Sequence, residues 1–267
     1  MKALILSAGY GERLRPLTNA IPKPLLEVGG RPLIDYALLT VKAAGITEVA
    51  INIHHLAEQI EHKLGDGRTR GLAITYSPEA VLTGTGGALR ALRSYLAGEA
   101  FVILNSDTIM DLDLTDVITR HRRHGGLATL VLRVSDHQDA YSCIEIDGKE
   151  RIRRMRLLKR RAPGEFEDYP RRLAPTVSAN LRPYMYCGVM VCEPATLTNL
   201  PPAPAFSLIA DFLAPRLLQG AKFFGFVHSG FFRTIDDLGS YETLRAEFAR
   251  SAPPLACLRT APAGLAS

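Results

Sequence analysis

The chain has 267 residues, of which 47% are hydrophobic and 22% charged, and this balance excludes an intrinsically disordered protein. No apolar run approaches the roughly 20 residues that cross a bilayer, and the first apolar run has no signal-peptide pattern, so we expect a cytoplasmic protein without a membrane partner. The formal net charge of +5 suits an anionic substrate but also weak attraction to nucleic acid, so charge alone does not identify the partner.

The first half of the chain alternates short apolar runs with helical patterns, which is typical of parallel β-α units. The predicted strands are Ala3–Ser7, Val49–Ile53, Leu72–Tyr76, Phe101–Asn105 and Ala128–Arg133. The predicted helices are a segment from Leu33 that Gly45 should end, and Leu56–Leu64, Gly87–Leu96 and Leu114–His124. Residues 1–140 are therefore predicted to form a doubly wound α/β sheet.

From about residue 141 the pattern changes to shorter strands. The predicted strands are Ser142–Ile146, Ile152–Leu157, Tyr184–Cys192, Lys222–Val227 and Phe231–Ile235, and the predicted helices lie near Ser207–Leu218 and at Ser240–Ala249. We expect a smaller β-rich lobe over about residues 141–235 and a closing segment over 236–250. The Ala- and Pro-rich residues 251–267 are expected to fray.

The loop after the first predicted strand carries the strongest chemical signal. Gly9 and Gly11 allow a ligand to approach the backbone, whose N–H groups can bind phosphate, and Arg13 and Lys23 can neutralise phosphate oxygens. A dinucleotide fingerprint would need glycine where Leu14 stands, and a P-loop ending in Gly-Lys-Ser/Thr is missing. Both of those phosphate-binding loops are therefore disfavoured.

Two later segments add to this signal. Asp107 follows a buried apolar run, so it should lie at the carboxyl edge of the sheet, where a carboxylate suits Mg²⁺. The glycine-rich Thr83–Ala88 precedes a predicted helix, and its backbone could approach a nucleobase or simply begin the helix. His54 and His55 have no obvious partner in the sequence and are interpreted as loop residues.

The basic run Arg151–Arg161 leaves a nucleic-acid-binding protein as an alternative. It lacks the interleaved aromatic residues that stack on bases, so a solvated strand and loop beside an anionic substrate is favoured. We therefore expect no nucleic-acid partner.

Over roughly residues 1–250 the chain resembles the sugar-1-phosphate nucleotidyltransferase family. The motifs that carry the resemblance are the glycine loop with Arg-Leu-x-Pro-Leu-Thr, Pro22–Leu25, Glu79, Leu82–Leu89, Asn105–Asp107 and Asp237–Ser240. The resemblance implies a Rossmann-like, mostly parallel mixed sheet of the glycosyltransferase-A type, with a β-rich sugar-binding lobe. It also implies that a nucleoside triphosphate and a sugar 1-phosphate react with the help of Mg²⁺, releasing pyrophosphate and supplying an activated sugar for cell-envelope polysaccharide.

The resemblance further implies a role for individual residues. Catalysis would involve Arg13, Lys23 and Asp107, and Mg²⁺ would lie between Asp107 and Asp237, with the adjacent Asp236 as an alternative. The implied nucleotide-binding residues are Ala8, Gly9, Gly11, Glu12, Arg13, Lys23, Gly84, Thr85, Gly86, Gly87 and Asn105. The implied sugar-binding residues are Tyr141, Glu145, Tyr186, Gly188 and Lys159.

The chain also departs from the family pattern. Ser106 stands where glycine commonly precedes the first metal aspartate, and no Glu-Lys-Pro segment follows Ile152–Leu157, so Lys159 or Arg156 would replace the usual sugar-phosphate lysine. The resemblance implies a guanine or uracil nucleotide, with guanosine triphosphate slightly ahead of uridine triphosphate because Thr83–Gly87 lacks the larger side chains that some uridylyl relatives carry there. A noncatalytic nucleotide-sugar-binding regulator is the second alternative, and the sequence does not indicate the oligomeric state.

Overall fold

The computed structural model describes residues 1–134, 142–158, 166–169 and 180–259, and it divides into two compact units. The first unit consists of Met1–Leu82, Val102–Thr115 and Gly230–Ser267, and the second of Thr83–Phe101 and Asp116–Ser229. This division differs from the expected boundary near residue 140, because the chain leaves the first unit after Leu82 and returns to it twice.

The first unit contains the parallel part of the sheet. Its strands are β1 (Lys2–Leu6), β4 (Glu48–Ile53), β5 (Ala73–Pro78) and β6 (Phe101–Asn105, all but its first residue), in the order β6-β1-β4-β5. Strand β4 is parallel to both β1 and β5. Residues 3–5 and 49–51 are fully buried, as expected for parallel strands that are covered on both faces. The four strands predicted here are confirmed to within about two residues.

Shorter elements complete the first unit. They are the hairpin β2 (Glu27–Val28) and β3 (Arg31–Pro32), the antiparallel pair β7 (Thr108–Met110) and β14 (Phe232–Thr234), and the helices α1 (Leu33–Ala43), α2 (Ala57–Leu64), α7 (Leu238–Arg250) and α8 (Ala256–Arg259). Gly45 has φ +77°, and its N–H donates to the carbonyl of Lys42, so α1 ends where the sequence predicted.

The second unit is rich in antiparallel strands. They are β8 (Ala128–Arg133), β9 (Cys143–Ile146), β10 (Ile152–Leu158), β11 (Phe166–Tyr169), β12 (Arg182–Cys192) and β13 (Phe223–Val227), in the order β11-β10-β9-β12-β8-β13. Only β13 and β8 pair in parallel among these neighbours. The helices are α3 (Gly84–Ala91), α4 (Arg93–Leu96), α5 (Leu114–His124, whose first two residues belong to the first unit) and α6 (Ala214–Leu218), which a π-helix at Leu208–Leu213 precedes. The predicted α/β fold with a β-rich part is confirmed.

The carboxyl-terminal segment differs from the expected frayed tail as far as residue 259. Leu255 and Cys257 are buried in an apolar cluster of the first unit, and the N–H of Ala256 donates to Asp111 Oδ1 at 2.5 Å. Burial of this apolar surface stabilises the segment against the unit. Residues 260–267 lie outside the described residues. No helix in the described ranges is long and apolar enough to cross a membrane.

Candidate active site

A polar cavity of about 450 Å³ lies in the first unit, beside the ends of β1 and β6. The N–H and the hydroxyl of Ser106 both donate to the carbonyl of Leu6, at 3.2 and 2.8 Å, and so join these two strand ends. The cavity brings together six residues that the sequence predicted and a seventh left as an alternative: Gly9, Gly11, Glu12, Arg13, Lys23, Asp107 and Asp236.

The two glycines of the loop differ in what surrounds them. Gly11 has φ +64°, and a Cβ there would lie 2.9 Å from Thr18 Cγ2 and 3.2 Å from Lys23 Cβ. Only glycine therefore allows the segment that carries Lys23 to approach so closely. A Cβ on Gly9 would meet no atom of the described residues within 4 Å, so this backbone borders open space in the cavity.

Lys23 and Asp107 form an ion pair inside the cavity. Lys23 Nζ donates to Asp107 Oδ2 at 2.5 Å, and their side chains are 15% and 27% exposed. The N–H of Ile235 donates to the carbonyl of Asp107, which ties the aspartate to the segment after β14. The pair is therefore held in place yet remains open to a ligand.

The adjacent aspartates Asp236 and Asp237 have different partners. Arg13 Nη2 donates to Asp236 Oδ1 at 3.1 Å, and Asp236 lines the cavity. Asp237 is the N-cap of α7, and its Oδ1 accepts from the N–H of Ser240 at 2.8 Å in a capping box. These hydrogen bonds from Ser240 hold the pKa of Asp237 below its ordinary value.

Asn52 anchors the glycine loop and was missed in the sequence. Its Oδ1 accepts from the N–H of Ser7 at 2.8 Å, and its Nδ2 donates to Glu79 Oε1 at 2.7 Å. The side chain is only 4% exposed. A polar residue in an otherwise apolar strand was the signal that could have identified it.

His54 and His55 are correctly placed in a loop, but the structure supplies the partners that the sequence did not reveal. His54 Nδ1 lies 2.6 Å from the carbonyl of Glu79, and His54 Nε2 lies 2.9 Å from the hydroxyl of Tyr10. His55 Nε2 lies 2.7 Å from the carbonyl of Thr18. A carbonyl only accepts, so His54 Nδ1 and His55 Nε2 both donate. Hydrogen bonds between these two rings and residues 10 and 18 therefore help to hold the glycine loop in place.

The glycine-rich segment of the second unit is filled by protein. The N–H of Gly86 donates to the carbonyl of Phe206 at 3.0 Å, and a Cβ on Gly86 would lie 2.1 Å from the Phe206 ring. Gly84 and Gly87 are equally confined, by the Phe206 carbonyl at 2.7 Å and by Thr83 at 2.2 Å. Packing within the second unit is therefore sufficient to require glycine at these three positions.

The residues predicted to bind the sugar are only partly described. Glu145 is 7% exposed, and its Oε1 accepts from Arg154 Nη2 at 2.6 Å. Tyr186 and Gly188 lie in β12, where the pairing with β8 shifts register, and Gly188 has φ +79°. Tyr141 and Lys159 lie outside the described residues.

The basic run at residues 151–161 is partly neutralised within the second unit. Arg153 Nε donates to Asp147 Oδ2 at 2.7 Å, and Arg154 pairs with Glu145. Basic residues that already have carboxylate partners leave less charge for phosphates, which disfavours the nucleic-acid alternative.

Magnesium would have to be held by few protein ligands. Within the described residues, no group of three or more His, Cys, Asp or Glu side chains could hold a metal ion. Asp107 and Asp236 line the same cavity, and Asp237 directly follows Asp236. Mg²⁺ commonly takes only one or two carboxylates and completes its coordination with phosphate oxygens and water. The donor set therefore fits an ion that binds together with a phosphate ligand.

Open glycine backbone, two cations and carboxylates beside the ends of sheet strands are typical of phosphate-binding α/β proteins. A family model described as nucleotidyl transferase matches residues 2–156, and the chain belongs to this family.

Individual relatives agree with this membership. The N-acetylmuramate alpha-1-phosphate uridylyltransferase of Neisseria meningitidis serogroup B is 50% identical over 117 residues, which are 43% of this chain and 50% of that protein. Mannose-1-phosphate guanylyltransferase 1 of Arabidopsis thaliana is 37% identical over 151 residues, which are 55% of this chain and 42% of that protein. The chain thus spans about half the length of these curated relatives.

A solved structure shows the same fold. HddC from Yersinia pseudotuberculosis superposes with a TM-score of 0.71 and 21% identity, covering 92% of this chain and 99% of that one.

Proposed function

We propose that the chain transfers a nucleoside monophosphate from a nucleoside triphosphate to a sugar 1-phosphate, which releases pyrophosphate and forms a nucleotide sugar. The observation that carries this proposal is the cavity in which the open backbone of Gly9 lies beside Lys23, Asp107, Arg13 and Asp236. Membership of the nucleotidyl transferase family and the names of the relatives support it.

The reaction is an in-line displacement at phosphorus. A phosphate oxygen of the sugar 1-phosphate attacks the α-phosphorus, a new O–P bond forms, and the bond from the α-phosphorus to the bridging oxygen breaks. The electron pair of that bond leaves on pyrophosphate. The attacking phosphate is already ionised at neutral pH, so no general base is needed, and catalysis depends on positioning and charge neutralisation.

The residues of the cavity would supply both the positioning and the charge neutralisation. The backbone between Gly9 and Gly11 would hold the triphosphate, and Lys23 and Arg13 would neutralise charge on the transferring group and on pyrophosphate. Each cation is paired with a carboxylate, at 2.5 Å for Lys23 and 3.1 Å for Arg13. These ion pairs keep the side chains oriented in the cavity before substrate binds.

Asp107 would hold Mg²⁺ together with Asp237, or with Asp236 as the alternative second carboxylate. When bound, the ion would neutralise phosphate charge and align the reacting groups. Both aspartates are candidates for the second ligand, because Asp236 lines the cavity whereas one oxygen of Asp237 caps α7.

The nucleotide would be guanosine triphosphate ahead of uridine triphosphate. Relatives with guanylyltransferase and uridylyltransferase names both match, so the preference depends on the small residues of the segment 83–87. A cytoplasmic location, where nucleoside triphosphates are available, and a role in supplying sugars for cell-envelope polysaccharide complete the proposal.

The test is pyrophosphate release from a panel of the four ribonucleoside triphosphates and thymidine triphosphate, each with mannose 1-phosphate or N-acetylmuramic acid 1-phosphate and Mg²⁺. We expect release that depends on both substrates, with a guanosine or uridine product detected by mass spectrometry. Binding of a triphosphate without release from any pair would instead indicate a noncatalytic regulator. A dominant adenosine or thymidine product would contradict the base preference alone.

A further inference from the structure

A second cavity in the first unit has no part in the proposed reaction. It has a volume of about 590 Å³ and lies between the turn of the β2–β3 hairpin, the face of α1 that carries Asp35 and Lys42, the end of α2, and the turn at Arg68–Arg70. None of its lining residues lines the polar cavity described above. Its size is typical of a small-ligand pocket, which usually measures about 300–1,000 Å³.

Most of the charged side chains that line this cavity are basic. Its charged residues are four cations and two carboxylates: Arg31, Lys42, Lys63, Arg70, Glu27 and Asp35. Two of the cations are engaged by protein. Arg70 pairs with Asp35 at 3.4 Å, and Lys42 Nζ donates to the carbonyl of Arg70 at 2.5 Å.

The other two cations are available to a ligand. Arg31 and Lys63 influence Asp35 only at longer range, and neither side chain forms a hydrogen bond or ion pair with the part of the chain that the structure describes. Both line the same cavity, and an anion that contacts both would gain charge-assisted hydrogen bonds.

Most of the remaining lining is apolar, and this indicates the chemistry of the occupant. Leu39 is partly exposed in the cavity, and the buried Leu38, Leu72 and Pro32 lie around it. A ligand with an anionic end and a compact organic part would satisfy both surfaces. The carboxylates of Glu27 and Asp35 among the cations disfavour an extended polyanion such as nucleic acid.

We propose that this cavity is a second binding site for a phosphate-bearing small molecule, whose phosphate contacts Arg31 and Lys63 and whose organic part packs against Leu39. The occupant would touch the hairpin that directly follows the 3₁₀ turn Lys23–Leu25. One short segment thus carries Lys23 of the first cavity and Arg31 of the second.

The test is amide chemical-shift mapping by NMR on the full chain, titrated with inorganic pyrophosphate or with guanosine diphosphate. We expect two sets of shifts, one near Gly9 and Gly11 and one at Gly29, Gly30 and Arg70. The double variant Arg31→Gln, Lys63→Gln should weaken the second set by about tenfold or more and leave the first unchanged. Neither side chain has a hydrogen-bond or ion-pair partner among the described residues, and the single variant Lys63→Gln, on an exposed helix position, gives an independent check.

The matched control is Arg68→Gln. Arg68 stands on the same turn as Arg70, its side chain is 88% exposed, and it does not line the cavity. We expect its titration to match the parent within about twofold, because a charge-assisted contact changes affinity mainly where it is made. Shifts confined to the glycine loop, shifts reproduced by sodium chloride at equal ionic strength, or a double variant that binds normally would overturn the proposal. Binding is measured without turnover, so absence of pyrophosphate release would leave this result intact.

Discussion

Two glycine-rich segments, one in each unit, were both predicted to approach a nucleotide, and their surroundings differ. Within the part of the chain that the structure describes, a Cβ on Gly9 in the first unit would meet nothing within 4 Å, whereas a Cβ on Gly86 in the second would lie 2.1 Å from Phe206. Neither glycine has a positive φ, so alanine fits both backbones. A glycine pattern thus indicates close approach, but it does not say whether a ligand or the protein approaches. We expect changes in the first cavity to affect turnover, and changes around the second segment to affect stability.

The largest effect is expected for Asp107→Asn. The amide is almost isosteric but removes the negative charge beside Lys23, so turnover should fall by about 100- to 1,000-fold, the usual cost of one electrostatic group in a transition state. Pyrophosphate release at saturating substrates measures the loss, and thermal melting should show that the fold survives.

The control for that variant is Asp66→Asn, since Asp66 pairs with Arg68 at the surface and should leave turnover unchanged. Near-normal turnover of Asp107→Asn at limiting Mg²⁺ would show that the Asp107 carboxylate is neither a metal ligand nor needed for catalysis.

The second largest effect is a loss of stability in Gly86→Ala, which is compared with Gly9→Ala. Overpacking against Phe206 costs about 1–3 kcal/mol, which outweighs the gain of about 1 kcal/mol from alanine in a helix. Gly9→Ala should change stability by less than about 0.5 kcal/mol, as at other unpacked positions, yet weaken triphosphate binding. Chemical denaturation and equilibrium binding measure the two quantities.

A second substitution tests whether the clash with Phe206 causes this loss of stability. Phe206→Leu should recover part of the stability lost in Gly86→Ala, because the smaller side chain makes room for the new methyl group. If Gly86→Ala were as stable as the parent but bound no triphosphate, the segment around Gly86 would contact the nucleotide rather than only protein.

A smaller effect concerns pH and a buried histidine of the second unit. His121 is fully buried between Thr129 Oγ1 at 2.9 Å and Glu193 Oε1 at 3.1 Å. Burial is the largest cause that lowers the pKa of His121, His124 and Arg122 lower it further, and the net shift is downward although Glu193 raises it. Below about pH 6.5 the unfolded chain therefore binds a proton that the folded chain does not, so stability falls as pH drops from there towards the folded-state pKa.

Replacing the ring tests this linkage. His121→Gln keeps hydrogen-bonding groups but cannot titrate, so its free energy of unfolding should depend less on pH between 7 and 5, by at most about 1.4 kcal/mol per pH unit. The exposed His62→Gln should retain the slope of the parent. An unchanged slope in His121→Gln would assign the pH dependence to other groups.

The smallest expected effect separates the two roles of Asp237. Asp237→Ala removes the N-cap of α7 and should lower the melting temperature, because alanine cannot accept the hydrogen bond from the N–H of Ser240. Asn also caps helices, so Asp237→Asn should melt like the parent while it removes the charge. A fall in turnover for Asp237→Asn would support a metal ligand, and a loss of stability equal to that of Asp237→Ala would show that the cap requires the carboxylate.

Much of the fold was predictable because local pattern determines it. Phe101–Asn105, Ala128–Arg133 and Leu114–His124 have the predicted bounds, since continuous apolar runs and helical spacing are properties of neighbouring residues. The hairpin β2–β3 and helix α8 were missed, because strands of two residues and a helix of four carry too little periodicity to be recognised.

For this protein the sequence by itself determined the α/β class, the glycine loop and the residue types that would contact phosphate. Only the tertiary structure decided which of them meet, because Lys23 and Asp107 lie 84 positions apart and Arg13 and Asp236 lie 223 apart. It likewise placed Phe206 against the second glycine segment and the histidines beside the glycine loop. Such contacts depend on how distant strands and loops pack in three dimensions, and the spacing of residue types along the chain does not determine that packing.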